Sequence, residues 1–339
     1  MHNKDLSIVI PTWNRRSLLH DCLRSIFHWT RGVGFEVVVV DNGSTDGTVE
    51  MIREGYPSVR VIANRENLGF SRGCNQGIQA SSGRFFAVLN NDTVLLEDAF
   101  SKLVSFLDAH PAVGAVGPRL VTPGGLVQES AMGAFIDLRS ALFGGEYFSR
   151  FLRRLFPFWS RVPEMVTPVR EQDRPLEVAW LVGACILGRR AVTEQAGLFD
   201  EKIFMYIEDM EWCYRVRKAG WTVFYYPQAR IRHMDHTPTK DSMSRVMSQH
   251  MGNQVYFYRK HKGAVPAVGL GVALFLGSLI KLPGFVLLSA GSRIASGKRT
   301  GRLEFKVRFH YHALRYFFSL PFSRFRGKRV GAGGASVGP

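Results

Sequence analysis

Short runs of aliphatic and β-branched residues alternate with longer segments of mixed polarity through the first third of the chain. The runs are LSIVI, FEVVVV, VRVIA, RFFAVL and VGAVG. They are continuously hydrophobic rather than alternating, which is typical of parallel strands covered on both faces. The intervening segments have the pattern of helices. Residues 5–120 therefore predict a doubly wound α/β domain, with helices on both sides of a mostly parallel, Rossmann-like sheet.

The pattern is interrupted between residues 121 and 176, where a basic aromatic segment, FSRFLRRLFPFWSR, covers residues 148–161. Such a segment can lie in a membrane interface, and it can equally pack on the domain with arginine stems covering apolar surface. Regular patterning resumes with EVAWLVGACILGRRAV. An amphipathic helix follows in EDMEWCYRVRKAG, which Gly220 is placed to end, and WTVFYYP predicts a short closing strand.

An uncharged stretch of eighteen residues, 263–280, lies beyond this domain. Eighteen residues are near the lower limit for a helix that spans a membrane. Basic residues flank the stretch on both sides, and a hairpin that turns near Lys281 and Pro283 would keep both basic groups on one face of a membrane. We therefore predict an apolar hairpin over about residues 263–291. A buried helical hairpin of a soluble domain is the alternative.

The positive charge is concentrated at the C-terminal end. The 339 residues carry a formal charge of +16, and their 46% hydrophobic content is sufficient for a folded core. Fifteen lysines and arginines but one acid, Glu304, lie in residues 259–339, which therefore hold +14 of that charge. Basic residues interleaved with aromatic ones suit anionic lipid headgroups and also nucleic acid. We expect anionic membrane lipids rather than nucleic acid, which would leave the apolar stretch unexplained.

Cysteine use and the N-terminus indicate the compartment. The four cysteines, Cys22, Cys74, Cys185 and Cys213, form no CxxC pair and predict buried thiols in a reducing compartment. The N-terminus enters a strand-like run directly and lacks the pattern of a secretory signal. We expect the N-terminal domain to lie in the cytoplasm.

Polar side chains follow two of the predicted strands, at the edge where ligands bind in open α/β sheets. Asp41 in VVDNGSTDG can accept a hydrogen bond from a nucleotide base or ribose; a turn in which Ser44 or Thr45 caps the next helix is the alternative. Asp92, in the AsnAsnAspThr sequence after FFAVL, can hold Mg²⁺ or Mn²⁺ beside substrate phosphates. Asn90 or Asn91 can reach the ribose, although an Asx turn also explains this segment.

Six motifs occur along the chain in a recognisable order. They are PTWNR, VVDNGSTDG, NRENLGFSRGCNQGI, VLNNDT, LVGACILGRR and FMYIEDMEWCYRVRKAGW. In order and approximate spacing they resemble the inverting glycosyltransferases of family 2, which have the GT-A fold, over residues 5 to about 235. The strings ENLGF, LNNDT and MYIEDMEWCYR are most similar to the bacterial rhamnosyltransferase branch, which acts in O-antigen and cell-wall glycan synthesis.

The resemblance implies roles for individual positions. Asp41 would read a pyrimidine base, and Asp92 stands where the family's DxD-like motif holds a metal, here AsnAsnAsp with a single acid. Cys74 departs from the Asn that related sequences often carry. The implied nucleotide-sugar pocket comprises Pro11, Thr12, Asn14, Arg15, Asp41, Glu66, Asn67, Gly69, Arg72, Asn90 and Asn91.

Two adjacent acids match the catalytic position of the family. Asp209 corresponds to the catalytic base, and Glu208 lies beside it. Such a carboxylate takes the proton from an acceptor hydroxyl as the hydroxyl attacks the anomeric carbon from the face opposite the diphosphate. Two acids at a helix start also suit the helix dipole, so N-terminal capping is the alternative.

His233 stands where many GT-A enzymes supply a further metal or diphosphate ligand, and a neutral imidazole there can share an octahedral ion with Asp92. His236 is a competing choice, and an ordinary surface histidine is the alternative. Arg215 is expected either to contact the diphosphate or to pair with Glu211 four residues earlier.

Together these features imply a metal-dependent, inverting glycosyltransferase that uses Mg²⁺ or Mn²⁺. The implied donor is dTDP-L-rhamnose, and the implied acceptor is a glycan or a polyprenyl-diphosphate-linked sugar. Another donor of the same family, UDP-hexose or a galactofuranose nucleotide, is an alternative. A non-catalytic membrane or nucleic-acid binding protein on a degenerate transferase scaffold is a further one, against which the intact Asp92 and Asp209 count.

The expected organisation has two parts. Residues 1–235 form the GT-A domain, with a nucleotide-binding half at 1–120 and an acceptor half at 121–235. Residues 236–339 form a helical, basic region that associates with the membrane. We expect the protein at the cytoplasmic face of the cell membrane, in a peripheral or monotopic arrangement.

Overall fold

The structure, a computed structural model, describes residues 4–128, 131–138, 141, 172–234, 240–296 and 301–319. The chain divides into two units, Met1–Thr237 and Pro238–Pro339. The basic aromatic segment at 148–161 and the candidate ligand His236 lie outside the described residues.

The strands of the first unit coincide with the hydrophobic runs of the sequence. Every residue of the first and fourth strands is buried, as expected for parallel strands with both faces covered. The strands are β1 (Leu6–Thr12), β2 (Phe35–Asp41), β3 (Arg60–Ala63), β4 (Phe85–Leu89), β5 (Thr93–Leu95), β6 (Val113–Val121), β7 (Ala131–Met132), β8 (Leu176–Glu177), β9 (Trp180–Leu181), β10 (Cys185–Arg189) and β11 (Thr222–His233).

The helices of this unit end at recognisable signals. Asp98 caps the fourth helix by accepting a hydrogen bond from the backbone N–H of Ser101. Gly220, with φ 92°, follows the last turn of the sixth helix, as its position in the sequence predicts. The helices are α1 (Arg16–Trp29), α2 (Thr48–Gly55), α3 (Phe70–Gln79), α4 (Ala99–Ala109), α5 (Arg190–Ala196) and α6 (Glu208–Lys218).

The main sheet has the strand order β3-β2-β1-β4-β10-β6-β11-β5, with β8 paired to β11. β1 is parallel to both β2 and β4, and β2 is parallel to β3. β10 runs antiparallel between β4 and β6, while β6 and β11 are parallel. This mixed, mostly parallel sheet confirms the predicted α/β fold class.

A separate layer of apolar side chains fills each face of the sheet. Ile8 and Ile10 of β1 face the core built with α1, α2 and α4, while Val9 faces the core built with α3, α5 and α6. On the second face, the fully buried Trp212 of α6 packs edge-on against Phe86 of β4, with ring centroids 5.8 Å apart. Truncation of such a residue to alanine typically costs about 3–5 kcal/mol. This packing fixes α6, and therefore the adjacent acids Glu208 and Asp209 in its first turn.

The closing strand is longer than the motif WTVFYYP predicts. β11 continues to His233, because it pairs with β6 from Thr222 to Arg232 and its last residues pair with β5. In that second pairing His233 lies opposite Thr93. The extension brings His233 to the segment that follows β4.

The second unit consists of α7 (Lys240–Lys262), α8 (Ala264–Ser296) and α9 (Gly301–Ser319). α8 is one continuous helix with Pro283 inside it, so the predicted hairpin with a turn near Lys281 is wrong. Pro283 removes one helical hydrogen bond, but apolar residues with good helix propensity continue on both sides of it. Among the described parts of the chain, the stretch Ala264–Ser292 is long and apolar enough to cross a membrane.

Candidate active site

The carboxyl ends of β1, β2 and β4 meet at one edge of the sheet and bring predicted nucleotide-binding residues together. Thr12 accepts a 2.8 Å hydrogen bond at its hydroxyl from Nδ2 of Asn91. Asn14 donates its backbone N–H to Oγ of Ser44, and its Oδ1 accepts from the N–H of Thr45, both over 2.8 Å. Asn14 has a left-handed backbone, φ 51°, which Asn tolerates better than most residues. These bonds lock the loop after β1 to the loop after β2.

Asp41, the last residue of β2, is 2% exposed. Its Oδ2 accepts a 2.9 Å hydrogen bond from the N–H of Ser44. Its Oδ1 is buried and has no hydrogen-bond partner among the residues that the structure describes. A buried acceptor in this state costs about 1–3 kcal/mol, so this oxygen is suited to receive a donor from a ligand. Neither Ser44 nor Thr45 caps the helix that follows. Its N-cap residue is Gly47, and Asp46, directly before it, accepts a hydrogen bond from the N–H of Thr48.

The ENLGF motif forms the loop that enters α3. Oδ1 of Asn67 accepts from the N–H of Gly69 over 3.0 Å. Gly69 has φ 89°, and a Cβ at this position would lie 2.6 Å from the ring of Phe204 and 2.7 Å from its carbonyl oxygen. That carbonyl also accepts a 2.7 Å hydrogen bond from the N–H of Phe70. Glycine is required for this approach, which fixes the ENLGF loop against the loop that leads to α6.

Three further predicted residues lie around this edge with different surroundings. Pro11 is buried in β1 beneath α3, where a Cβ added to Gly73 would be 3.1 Å from it. Arg72 forms a 3.3 Å ion pair with Glu201, both half-exposed. Arg15 is exposed before α1 and, with Asn14, lines an open pocket of about 480 Å³. The structure thus gives Pro11 a packing role and leaves the two arginines at the surface.

Asp209 lies in the first turn of α6 and is held by two backbone N–H groups. Its Oδ2 accepts from Gly183 over 2.8 Å, and its Oδ1 accepts from Met210 over 2.7 Å. Burial raises the pKa of Asp209 to about 6, although these hydrogen bonds act in the opposite direction. A carboxylate with this pKa is ionised at neutral pH and is more basic than an ordinary aspartate, as a general base requires.

Glu208, directly before it, is in a different electrostatic state. It is 6% exposed, and its Oε2 has no hydrogen-bond partner within the described residues. Burial, and then the charge of Asp209, raise the pKa of Glu208 well above its ordinary value. Burial therefore favours the neutral form of Glu208, and Asp209, held by two backbone N–H groups, is the member of the pair placed to accept a proton.

The turn before these acids is strained. Tyr206 and Ile207 have φ values of 68° and 76°, in the left-handed region. Such a backbone costs on the order of 1–3 kcal/mol per residue, and it is rarest for β-branched side chains such as Ile207. The surrounding contacts must therefore over-determine this turn, which sets where α6 begins and where Asp209 points.

Asp92 and His233 come together beyond the carboxyl end of β4. Nε2 of His233 is 3.4 Å from Oδ1 of Asp92, and both side chains are 15% exposed. Nδ2 of Asn90 lies 3.5 Å from the same ring nitrogen, and the N–H of Met234 donates to the carbonyl of Asp92 over 3.0 Å. His233 is thus part of a polar cluster with two of the predicted residues rather than an isolated surface histidine.

This pair fits a divalent cation. Carboxylate oxygens suit Mg²⁺ and Mn²⁺, and imidazole nitrogen is an accepted ligand of transition metals. No group of three or more His, Cys, Asp and Glu side chains that could hold a metal occurs in the part of the chain that the structure describes. Two protein ligands suit an ion that takes its remaining ligands from substrate phosphates and water.

Two residues of the site were not singled out from the sequence. Gly183 lies within the LVGAC motif, which marks its segment but not its contact with Asp209. Gln128, whose side chain contacts His233, comes from the irregular segment after residue 121, where the sequence pattern carries no signal. Neither contact follows from local sequence.

Arg215 pairs with Glu211, four residues earlier on α6. Its Nη2 lies 2.8 Å from Oε2 of the fully buried Glu211 and donates to the carbonyl of Leu198 over 2.6 Å. The i+4 pairing was therefore the correct alternative. Arg215 stabilises α6 against the preceding loop.

Residues 7–197 match the model of the family described as Glycosyl transferase family 2. The chain belongs to this family. It is 32% identical to the N-acetylglucosaminyl-diphospho-decaprenol L-rhamnosyltransferase of Mycobacterium tuberculosis over 241 residues, 67% of this chain and 76% of that protein. It is 28% identical to the O-antigen biosynthesis protein RfbC of Myxococcus xanthus over 67% of this chain and 17% of that protein. The protein is a glycosyltransferase with a rhamnosyltransferase-like sequence, which confirms the resemblance in its motifs.

Two solved glycosyltransferase structures share the fold. The mannosyltransferase PcManGT from Pyrobaculum calidifontis, in complex with GDP-Man and Mn²⁺, has a TM-score of 0.53 and 17% identity over 94% of this chain and 87% of its own. GalNAc-T7 with UDP, GalNAc and Mn²⁺ has a TM-score of 0.57 and 15% identity over 76% of this chain and 48% of its own. These similarities confirm the GT-A fold.

Proposed function

We propose that this glycosyltransferase transfers L-rhamnose from dTDP-L-rhamnose to a polyprenyl-diphosphate-linked N-acetylglucosamine, with inversion at the anomeric carbon. The observation that carries the proposal is Asp209, a basic carboxylate held by Gly183 at the same sheet edge as Asp41 and Asp92. The relative from M. tuberculosis is named for this sugar and for a decaprenol-linked acceptor, which supports the choice of both substrates.

The base of the donor nucleotide would be recognised by Asp41 at the end of β2. The unpartnered Oδ1 of Asp41 accepts a hydrogen bond from the N–H of a pyrimidine base. The locked loops at Thr12, Asn14 and Asn91, together with Asn67 and Gly69, surround the base and ribose, and Arg15 and Arg72 add positive charge near the phosphates. This assigns the sequence-predicted residues to one nucleotide-sugar site.

The transfer is a single displacement. The acceptor hydroxyl oxygen forms a bond to the anomeric carbon while the bond to the diphosphate breaks, and its electron pair leaves with the diphosphate. Asp209 takes the hydroxyl proton, while burial favours the neutral form of Glu208 beside it. A single attack from the opposite face inverts the configuration.

Asp92 and His233 would hold the divalent cation, Mg²⁺ or Mn²⁺. When bound, such a cation neutralises the charge that develops on the departing diphosphate. Both related solved structures contain Mn²⁺ with a nucleotide or a nucleotide sugar, which supports this assignment. Asn90, which contacts His233, and Asn91, which contacts Thr12, would reach the ribose.

The helical unit would associate with the cytoplasmic face of the membrane, in a peripheral or monotopic arrangement. Exposed apolar residues are distributed along the length of α8, and the basic residues Arg259, Lys260 and Lys262 lie in the last turn of α7. Both features suit a bilayer with anionic lipids, where a polyprenyl-linked acceptor resides. The exposed residues are Val265, Val268, Val272, Leu276, Leu279, Ile280, Val286, Leu287 and Leu288.

The organisation that we propose follows from these assignments. A GT-A domain occupies residues 1–235, with a nucleotide-binding half at 1–120 and an acceptor half at 121–235. The membrane-associating region occupies residues 236–339.

The test is transfer by the purified full chain to a synthetic polyprenyl-diphospho-N-acetylglucosamine, with Mg²⁺ or Mn²⁺ present. We expect transfer from dTDP-L-rhamnose with inverted configuration in the product by NMR. Asp209→Asn and Asp92→Ala should each reduce the rate at least about 100-fold. Asp21→Asn, at an exposed position on α1, is the matched control.

Each alternative has its own outcome in this assay. Undiminished transfer by Asp209→Asn would show that the catalytic assignment is wrong. Transfer from UDP-glucose or UDP-galactofuranose but not from dTDP-L-rhamnose would overturn the donor. Vesicle binding without transfer from any donor would favour a degenerate, non-catalytic scaffold.

A further inference from the structure

The side chain of Gln128 contacts His233 at two points. Its Nε2 donates a 3.2 Å hydrogen bond to the backbone carbonyl of His233, and its Oε1 lies 3.1 Å from the ring Nδ1. Gln128 is itself anchored to β6, because its N–H donates to the carbonyl of Leu120 and the adjacent Val127 bridges to Val121. The side-chain amide of Gln128 therefore contacts both the backbone and the ring of His233 from an anchored position.

These two contacts define which way the amide points. A backbone carbonyl only accepts, so the NH₂ group of Gln128 must face the carbonyl of His233. The opposite end, Oε1, then faces Nδ1, and because an amide oxygen also only accepts, Nδ1 must carry the proton. In a neutral imidazole with its proton on Nδ1, Nε2 presents a bare lone pair.

The bare nitrogen points at the site assigned to the cation. Nε2 of His233 lies 3.4 Å from Oδ1 of Asp92, so a lone pair faces a carboxylate oxygen. Two acceptors at this distance repel each other unless a proton or a metal cation lies between them. Asn90 Nδ2, the other polar atom at 3.5 Å from Nε2, is a donor and supports the same tautomer. Metal-binding histidines generally donate their second ring N–H to a carbonyl or carboxylate oxygen, which orients the ring and raises its basicity.

We propose that Gln128 is a positioning residue of the cation site. It holds the Nδ1–H tautomer and the ring orientation of His233, so that Nε2 shares a divalent cation with Asp92. This inference rests on the cation site of the proposed function and extends it to a residue that contacts neither the cation nor the sugar.

The first test measures the binding of Mn²⁺ alone to the full chain, from the EPR signal of the free ion. Gln128→Leu removes both contacts and should weaken binding about 10- to 100-fold. Gln128→Glu keeps an acceptor for the Nδ1 proton and should restore most of the affinity. Gln79→Leu, at the exposed end of α3, is the matched control and should bind as the parent does.

The second test reads the tautomer directly in the metal-free protein. Two-bond ¹H–¹⁵N spectra of histidine-labelled protein, with the signals of His233 assigned through His233→Ala, should show the proton on Nδ1. Gln128→Leu should lose this preference. Because the parent alone reports its tautomer, this measurement stands even if a variant folds poorly.

The outcomes separate the inference from the function on which it rests. Parent-like Mn²⁺ affinity in Gln128→Leu would overturn the inference, as would a parent spectrum with the proton on Nε2 or on both nitrogens. Parent-like affinity in His233→Ala would instead show that the cation site is misassigned. A loss in His233→Ala without a loss in Gln128→Leu leaves the cation site intact and removes only the role of Gln128.

Discussion

The backbone N–H of Gly183 donates a 2.8 Å hydrogen bond to Oδ2 of Asp209, which lies 26 positions further along the chain. A Cβ on Gly183 would lie 3.3 Å from that oxygen and 3.4 Å from Cβ of Asp209. The contact ties the segment before β10 to the first turn of α6. The proposed base is therefore located by a backbone donor that tolerates little added volume on its own residue.

Gly183→Ala should lower kcat while leaving donor binding nearly unchanged. The new methyl group would displace the carboxylate of Asp209 by a fraction of an ångström, and misplacement on this scale costs about 10- to 100-fold in rate. Steady-state kinetics with varied donor measure both parameters. Gly55→Ala, where an added Cβ meets nothing within 4 Å, is the control. An unchanged kcat would mean that Gly183 does not position the base.

The pH dependence of kcat/KM should report the ionisation of Asp209. With a pKa of about 6, the base is protonated and inactive at low pH, so log kcat/KM should rise with unit slope below pH 6 and level off above pH 7. Glu208→Gln should keep this limb, because the limb reports the ionisation of Asp209 and not that of Glu208. A profile that stays level down to pH 4.5 would contradict the assignment.

The effect of Asp209→Asn on stability should become more favourable as pH rises from 4 to 7.5. Folding raises the pKa of Asp209 from 3.8 to about 6, so the native state binds more protons than the unfolded state between these values, and stability falls as pH rises through them. Replacing the carboxylate should therefore be more favourable at pH 7.5 than at pH 4 by on the order of 2 kcal/mol. Denaturant unfolding at the two pH values measures the difference. An equal effect at both would indicate a cause other than ionisation.

The four cysteines should be unreactive in the native protein. All four are buried, and burial raises the pKa of Cys22 and of Cys213 to about 12. A thiol reagent at pH 8 should label none of them within minutes and should label four after unfolding in guanidinium. Rapid labelling of one native thiol would show that its surroundings open locally.

Charges placed on the exposed face of α8 should weaken membrane binding. Leu279 and Leu287 are 50% and 73% exposed, and a glutamate at each position would oppose both the acyl chains and the anionic headgroups. The double variant should co-sediment less with phosphatidylglycerol vesicles than the parent does. Leu126→Glu, 73% exposed in the first unit, is the matched control. Unchanged sedimentation would exclude this face as the contact.

The strands could be predicted because each parallel strand is a continuous hydrophobic run whose residues are almost all buried, as in β1 and β4. The uninterrupted course of α8 could not be predicted from the sequence. Lys281 and Pro283 resemble breakers in the sequence, yet Lys281 is buried within the helical unit and the helix continues through both. Packing against neighbouring helices overrode the local signal.

The residues of the candidate site could be named from the sequence, but the way they are arranged could not. Asp41, Asp92 and Asp209 follow from strand ends and from the family resemblance. The meeting of Asp92 with His233 depends on the register of β11 against β5, which places His233 opposite Thr93. Strands distant in sequence set that register, so no local pattern contains it. The contact between Gln128 and His233 likewise joins segments that are distant in sequence.

The approach of Gly69 to Phe204 constrains how this enzyme can change its substrate. The ENLGF loop and the turn that aims the acids share one steric contact and one hydrogen bond, so neither can shift alone. Under the proposed function, donor choice and turnover are therefore coupled through this contact. A lineage that acquires a new nucleotide sugar through this loop must alter the segment around Phe204 as well, and substitutions at the two places should be inherited together.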